Sequence, residues 1–555
     1  MRRIGKLNHI LSDRGFGLDH YIALALLGAA LVAFTFNLGG LALRDWDEGT
    51  VAQVAREIWR STWQSPADEA SQSLTWLFPT LGGEPYVNKP PLIHNLMAIA
   101  FQLGGINEFT ARLPGALLTA VSVPVLYALG REVFRRRSAA LMAALVYLTS
   151  LPVMRLGRLA MLDGAVLCFL LVMLWCTVRS RRDIRYSLGI GIGFGLISLT
   201  KGVLLGILLG AIALLFLAWD TPRLLRQRYL WLGLALGGLP VALWYGAQVW
   251  HYGTDFLGRN LVNQSLSRVW DSVEDNSGPP WYYLLELLKY GLPWLVFLPI
   301  SLQKAWQNRD LGWAKLVLVW AGVYFVTISL MGTKLPWYIL PLYPALALAI
   351  ASHLADMWEN GRHINERQYF LGHYSWSWFW VFMGLAALSL GAGLYLGFWQ
   401  ILPQPNVGWM CLVLAGTLFS TAILLARRSP RFMAILAWGT FLTLLLLMGS
   451  SHWVWELAED YPVKPVATLI QNNTPPGERV HMSASYHRPS LDFYSDRQVI
   501  PANRKRLQQL WQSEPQVYLL LNRNTLKQWR PSPRPTVLGT AEGWTLVHHG
   551  NSQAQ

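Results

Sequence analysis

A helical protein that crosses the membrane many times and ends in a small extracytoplasmic α/β domain is predicted by three features of this sequence. Of the 555 residues, 53% are hydrophobic and 14% charged, against about 25% charged in an ordinary soluble protein. Apolar runs long enough to cross about 30 Å of hydrocarbon, roughly 17 to 25 residues each, recur about thirteen times within residues 1–450. Beyond 450 that pattern stops, and a mixed segment of about 105 residues follows, enough for a small α/β domain. Intrinsic disorder is excluded by the 28 Trp, 21 Tyr and 21 Phe, since disordered chains are poor in aromatic residues.

The apolar runs fall near 21–43, 113–133, 139–153, 162–178, 187–200, 203–219, 230–250, 281–302, 315–332, 337–354, 377–399, 408–426 and 432–450. The first is too long for a signal-peptide core and no small-residue cleavage site follows it, so it is expected to stay as a helix. The net charge of +15 suggests nucleic acid at first sight. Its cations, however, come in short bursts between apolar runs: Arg2, Arg3, Lys6 and Arg14; Arg131 and Arg135–Arg137; Arg179, Arg181, Arg182 and Arg185; Arg223, Arg226 and Arg228; Lys304, Arg309 and Lys315; Arg362 and Arg367; Arg427, Arg428 and Arg431. These occupy alternate connections, as a membrane topology signal does. The positive-inside rule then puts that side and the N-terminus in the cytoplasm, and an odd number of spans puts the C-terminus outside. No nucleic-acid partner is expected. Cys168, Cys176 and Cys411 all lie within apolar runs, so there is neither a disulfide framework nor a cysteine metal motif.

Three segments face outward: a loop from Arg44 to about Arg112, a polar connection from about Trp250 to Pro280, and the tail. The domains expected are therefore a transmembrane body over 1–450, with the outer loop 44–112, and an extracytoplasmic α/β domain over 451–555. The tail opens on Pro462, Pro465, Pro475 and Pro476, then alternates β-like runs such as Gln516–Leu521 with helical stretches such as Arg504–Gln512. It carries no nucleotide-binding glycine pattern, so a soluble nucleotide-activated donor is not indicated.

The outer loop holds the chemically loaded residues. Arg44-Asp45-Trp46-Asp47-Glu48-Gly49-Thr50 puts three carboxylates in four residues at a membrane surface, where charge is costly unless water, a cation or a reacting proton meets it. The same acids suit a helix N-terminus, with Asp47 as cap and Glu48 in the first turn. Both readings stand, since a capping geometry would also fix an acid toward a cavity. In the segment that follows, Val51, Val54, Ala55, Ile58 and Trp59 form one apolar stripe, with Arg56, Glu57 and Arg60 on the polar side, which predicts an amphipathic helix along the membrane surface. Lys89 precedes Pro90 and Pro91, which forbid a regular helix and hold the lysine in an extended segment. A cation fixed there suits a phosphate, and snorkelling is the alternative.

Asp47-Glu48 with Ala55-Arg56-Glu57, the Lys89-Pro90-Pro91 turn and Asn107-Glu108-Phe109…Ala111-Arg112-Leu113-Pro114 together resemble the dolichyl-phosphate-mannose protein mannosyltransferase superfamily, most of all its bacterial aminoarabinose-transferase-like branch. Arg158…Met161-Leu162-Asp163, Leu199-Thr200-Lys201-Gly202, Pro279-Pro280-Trp281-Tyr282-Tyr283, Pro293-Trp294 and Lys334-Leu335-Pro336-Trp337-Tyr338 continue the family's order to about residue 350. The resemblance implies a GT-C glycosyltransferase that moves a sugar, with inversion, from a polyprenyl-phosphate carrier to a lipid or glycan acceptor outside the cytoplasm. It implies Asp47 as the leading catalytic acid, Glu48 beside it and Asp163 as a second acid. Lys89, Lys201 and Lys334 become phosphate or headgroup contacts, Arg158 a further substrate contact, and Tyr338 a cavity wall or hydroxyl donor. From the residues alone, Asp163 could instead pair with Arg158, Lys201 could divide one long apolar stretch into two spans, and Tyr338 could belong to an interfacial aromatic belt.

The sequence departs from the aminoarabinose-transferase pattern at three places. Asn88 stands where that branch tends to carry an acid, Asn276 where it tends to carry a histidine, and Val51 where it has a tyrosine. Two amides are poor zinc ligands, so no metal site is assigned, although the acid cluster is compatible with a divalent cation. Protein O-mannosyltransfer is the alternative enzyme reading. A lipid or solute transporter is the alternative from another class, disfavoured because the acids lie in outer loops rather than at mid-membrane. The partners expected are the lipid-linked donor, its acceptor and membrane lipids, around a monomer in the cytoplasmic membrane.

Overall fold

The computed structural model describes residues 2–64, 74–272, 276–360, 374–400, 403–455, 462–529, 532 and 534–549. Arg362 and Arg367 of the sixth basic burst lie outside the described residues. The chain forms two units.

The first unit comprises residues 1–38, 88–90 and 115–454. Among the described residues, nine helices of the chain are long and apolar enough to span a membrane, or ten if the bent pair Tyr282–Tyr290 and Trp294–Gln307 is one span. This is a multi-pass membrane protein. The other three apolar runs form the helices Arg137–Leu148, Asp163–Arg179 and Leu188–Lys201, of 12, 17 and 14 residues. At 1.5 Å per residue, helices of 12 and 14 residues fall short of the hydrocarbon thickness. Hydropathy finds such helices but cannot tell a buried short one from a spanning one.

Two of these helices set up the site. Leu188–Lys201 crosses Arg228–Tyr252 backbone against backbone: a methyl group on Gly191 would come within 2.0 Å of the Gly233 carbonyl carbon, and one on Gly195 within 2.2 Å of the Gly237 oxygen. Gly191/Gly195 and Gly233/Gly237 are thus paired small-residue stripes with the four-residue spacing that allows close helix packing in a membrane. Leu188–Lys201 then stops because Gly202 adopts φ 112°, a left-handed conformation that side chains disfavour, and Val203–Asp220 begins afresh. Lys201 therefore sits at a helix end, where the chain divides as expected.

The second unit comprises residues 39–87, 91–114 and 455–555. It holds the helix Asp47–Trp59, the short hairpin β1 (Thr80–Leu81) and β2 (Glu84–Pro85), the helix Leu92–Gly104, and a five-stranded sheet. The sheet strands are β3 (Arg479–Met482), β4 (Gln498–Pro501), β5 (Val517–Asn522), β6 (Thr536–Ala541) and β7 (Trp544–His549), in the order β4-β3-β5-β7-β6. Strand β3 pairs parallel with β4 and β5, whereas β7 pairs antiparallel with β5 and β6. β5 is central, and its apolar Val-Tyr-Leu-Leu-Leu run suits a strand buried on both faces. The β6–β7 turn consists of Glu542 and Gly543, both at positive φ, the backbone a two-residue hairpin loop prefers. The strand expected at 516–521 and the helix expected at 504–512 appear as β5 and as Arg504–Ser513.

The helix expected after Asp47 is present, but its surroundings differ from those expected. Val51, Val54, Ala55 and Ile58 are buried, and so are Gln53 and, on the expected polar side, Arg56. The Arg56 guanidinium donates to the Phe493 carbonyl, pairs with Asp496 at 2.6 Å and lies 5.7 Å from the centre of the Phe493 ring. Glu57 accepts from the Thr80 hydroxyl at 2.5 Å and the Gly82 amide at 2.7 Å. Protein covers both faces, because these partners lie some 440 residues along the chain or across the β1–β2 turn, where a helical-wheel argument cannot see them.

Also in this unit, His487 Nε2 lies 2.8 Å from Asp492 Oδ2. Burial opposes protonation of this imidazole, but the bond to Asp492 and the charges of Asp492, Asp45 and Glu57 outweigh it, and the His487 pKa is raised. A raised histidine pKa stabilises the fold fully below the ordinary value of about 6.5 and ceases to do so as pH climbs through the folded value. Hydrogen exchange in 487–499, corrected for intrinsic rates, should therefore be faster at pH 8 than at pH 6. His487→Gln should abolish the difference.

Candidate functional site

In the second unit, the three carboxylates of the 45–48 cluster have different fates. Asp45 is buried and held by the Arg488 guanidinium and the Ser490 hydroxyl. Glu48, fully buried, receives Arg112 Nε and Nη2, each at 2.7 Å, and the Arg44 amide at 3.0 Å. Arg112 also donates to the Leu41 and Ala42 carbonyls at 2.7 and 3.0 Å. Glu48, expected beside Asp47 among the catalytic acids, forms a forked ion pair that ties the loop to the start of the Glu108–Val133 helix. Asp47, the first residue of its helix, keeps 20% of its side chain exposed, and its ion pair with Arg44 is long, at 3.9 Å. It is not the N-cap, a position held by Trp46, which has no side-chain cap bond.

In the first unit, a second group of charges assembles. Asp163, the first residue of its helix, is bound at 2.6 Å by Lys201. The Lys201 ammonium also lies 5.7 Å from the centre of the Tyr338 ring. The Tyr338 hydroxyl accepts from Arg268 at 2.9 Å, and Arg268 also donates to the Gln264 side chain at 3.1 Å. Pro336 and Pro341 hold Tyr338 in a short 3₁₀ segment, Pro336–Leu342. The Lys89 loop is anchored by the Asn260 amide donating to the Asn88 carbonyl at 3.3 Å, and Asn260 in turn accepts from the Tyr245 hydroxyl at 3.0 Å. Lys89 makes no hydrogen bond or ion pair among the described residues. Burial, together with the charges of Arg268 and Lys201 and against that of Asp163, pushes its ammonium down to about 7. Lys89 thus feels the charges of two further cations, Arg268 and Lys201, against one carboxylate, Asp163. Such an excess suits a phosphate anion, which would satisfy Lys89 and restore its proton.

The other expected contacts are placed elsewhere. Arg158 is fully buried but does not meet Asp163. It donates to the Ala33 and Phe36 carbonyls at 2.7 and 2.6 Å, closing the end of the first span, and stacks over Trp453 at 4.8 Å. Lys334 donates to the Ile328 and Ser329 carbonyls at 3.1 and 2.7 Å, capping the helix Gly312–Leu330, and lies 5.5 Å from the centre of the Tyr283 ring. Both cations serve the carbonyls that every helix end leaves unsatisfied. Sequence reading missed Arg268, a lone arginine in the polar 250–280 connection. Its only sequence signal was its place in a polar segment expected to face outward. Among the described residues, no three His, Cys, Asp or Glu side chains stand close enough to share a metal ion, and Asn276 uses its backbone carbonyl to accept from the Lys334 amide at 2.8 Å.

A multi-pass helical body with a bent helix pair, together with a small α/β unit, is the fold of a GT-C-type membrane protein. Residues 88–245 match the family described as dolichyl-phosphate-mannose-protein mannosyltransferase. The chain is 29% identical over 294 residues to the undecaprenyl phosphate-alpha-4-amino-4-deoxy-L-arabinose arabinosyl transferase 1 of Pseudomonas fluorescens, covering 52% of this chain and 53% of that one. With the corresponding transferase of Erwinia tasmaniensis it shares 30% identity over 290 residues, 50% and 51% of the two chains. The chain spans about half the length of these curated relatives. Its fold matches the crystal structure of ArnT from Cupriavidus metallidurans bound to undecaprenyl phosphate, with a TM-score of 0.75 at 20% identity over 96% of this chain and 98% of that one.

Proposed function

We propose that this chain is a membrane glycosyltransferase that moves a sugar from a polyprenyl-phosphate carrier, undecaprenyl phosphate by analogy with its relatives, to a lipid or glycan acceptor outside the cytoplasm. The observation that carries this reading is the excess of cations at Lys89, where Lys201 and Arg268 act against the single carboxylate of Asp163. Transfer breaks the bond between the anomeric carbon and the phosphate oxygen while an acceptor hydroxyl attacks the opposite face, inverting the centre. Phosphate leaves as a stable anion, so the cations need only balance its charge. The hydroxyl proton needs a base, a role we assign to Asp47 on the strength of the family resemblance. In this reading Asp163 orients Lys201, and Tyr338 orients Arg268. The N-terminus is cytoplasmic and the tail extracytoplasmic, by the distribution of basic bursts. The named relatives favour an aminoarabinose-like donor, whereas the family description over 88–245 favours protein O-mannosyltransfer as the second reading.

Mass spectrometry of lipids and surface glycans from cells with and without the intact gene tests the class. Loss of one defined sugar with accumulation of its polyprenyl-phosphate form supports it, and unchanged profiles reject it. A Ser/Thr-rich peptide offered beside a lipid acceptor to the purified enzyme separates the two enzyme readings. Lys89→Ala should weaken donor binding by about 1.5 to 3 kcal/mol, the worth of a desolvated ammonium–phosphate contact. Because the Lys89 ammonium is pushed down to about 7, donor binding should take up a proton above that pH, and affinity should fall between pH 6.5 and 8.5. Lys89→Arg keeps its charge throughout and should flatten the profile. A wild-type affinity independent of pH over this range would place the phosphate elsewhere.

A further inference from the structure

At the ends of several helices of the first unit lies a cavity of about 1040 Å³, lined by Arg131, Arg135, Arg136, Arg181, Arg182 and Lys304 against only two acids, Glu132 and Asp356. A smaller cavity of about 460 Å³ shares Arg131, Arg135 and Arg136 with it. The acids are overcommitted. Glu132 pairs with both Arg179 and Arg182, the latter at 3.2 Å, and Asp356 with Lys304 at 2.5 Å and Arg136 at 2.9 Å. Arg135 is exposed and has no ion pair or hydrogen bond among the described residues, although it lines both cavities. Arg182 keeps 65% and Arg136 52% of its side chain exposed. Acids beyond the larger cavity's lining neutralise others of these cations, Arg131 pairing with Asp19 at 3.1 Å, Arg181 with Asp220 at 3.1 Å and Arg136 also with Glu359 at 3.0 Å. Arg135, and Arg182 sharing Glu132 with Arg179, are the least neutralised, and with Arg136 they open to the outside. Val133, Phe134, Leu311 and Trp313 form an apolar part of the wall beside the polar Asn308 and Ser352, and the Phe134 and Trp313 rings lie 5.8 Å apart, tilted by 40°. A cationic mouth with an apolar wall at the helix ends matches an amphiphile whose head carries phosphate.

We propose that this cavity binds the phosphate headgroup of an anionic phospholipid, held by Arg135, Arg136 and Arg182, on the side that the basic bursts assign to the cytoplasm. Basic pockets between helices at that surface suit anionic headgroups, and each Lys or Arg near such a surface contributes about 1 kcal/mol. The site involves none of the residues assigned to sugar transfer, so its role is to seat the bundle in anionic lipid. Only the phosphate chemistry is common to a lipid and to a soluble phosphate ester, and the apolar wall favours the lipid.

The test is native mass spectrometry of the full-length protein released from nanodiscs of equal phosphatidylcholine and phosphatidylglycerol, with and without millimolar inorganic phosphate. The wild type should retain phosphatidylglycerol preferentially. Arg135→Gln with Arg182→Gln should lower that retention about twenty-fivefold, at about fivefold for each cation removed. Arg427→Gln with Arg428→Gln, exposed arginines at another helix end, should retain it as the wild type does. Displacement of the bound lipid by inorganic phosphate would transfer the site to a soluble phosphate and overturn the lipid assignment. Equal retention in the Arg135/Arg182 variant, or equal loss in the Arg427/Arg428 control, would overturn the cavity as the site.

Discussion

Asp47→Asn should leave a correctly inserted protein whose sugar transfer is reduced roughly 10²-fold or more, the loss expected when a positioned general base is removed. Asparagine keeps the size of the side chain and suits a helix N-terminus, so the unfolding midpoint in detergent should stay within about 1 kcal/mol of the wild type. The assay is single-turnover transfer from a labelled polyprenyl-phosphate sugar, with donor affinity measured separately. If Asp47→Asn transfers normally while Asp163→Asn does not, the base is misassigned. If both variants transfer normally, the reaction takes place elsewhere in the molecule.

Glu48→Ala should produce the opposite phenotype. It leaves the Arg112 guanidinium buried with no carboxylate to balance it, and breaking a buried ion pair in this way costs about 3 to 5 kcal/mol. The variant should express poorly or melt well below the wild type, before any question of activity arises. The double change Glu48→Met with Arg112→Met removes both charges and should recover much of the loss, as replacing a whole buried pair by apolar residues often does. A thermally normal Glu48→Ala with impaired transfer would return Glu48 to the chemistry. Two neighbouring acids, one replaced at a cost in turnover and the other at a cost in folding, would separate roles that a sequence cannot.

The acids at 45, 47 and 48 were legible as unusual because three carboxylates at a membrane surface need partners, but the partners were not. Asp45 meets residues more than 440 positions away and Glu48 a residue 64 positions away. Arg158 and Lys334 carried the family resemblance as firmly as Lys89 did. Yet they close helix ends, since a buried cation takes the nearest unsatisfied carbonyls. Arg268 carried no resemblance and came into view only through the Tyr338 hydroxyl it meets. Conversely, the break between Lys201 and Val203, the β5 strand and the helix after Asp47 were all anticipated, because each follows from residues within one or two turns of itself.

The sequence by itself determined the solvent, the approximate sites of the apolar helices and the motifs that carry the family resemblance. Hydropathy, turn residues and motif order are local properties of the chain, and they survive without knowledge of its path. Only the tertiary structure decided which charges pair with one another. A charged side chain is neutralised by whatever lies within about 4 Å of it. Lys201 finds Asp163 across 38 residues, Glu48 finds Arg112 across 64, and Lys89 finds no acid partner among the described residues. Those separations are set by how the helices pack, through contacts such as Gly191 against Gly233, and no local pattern records them.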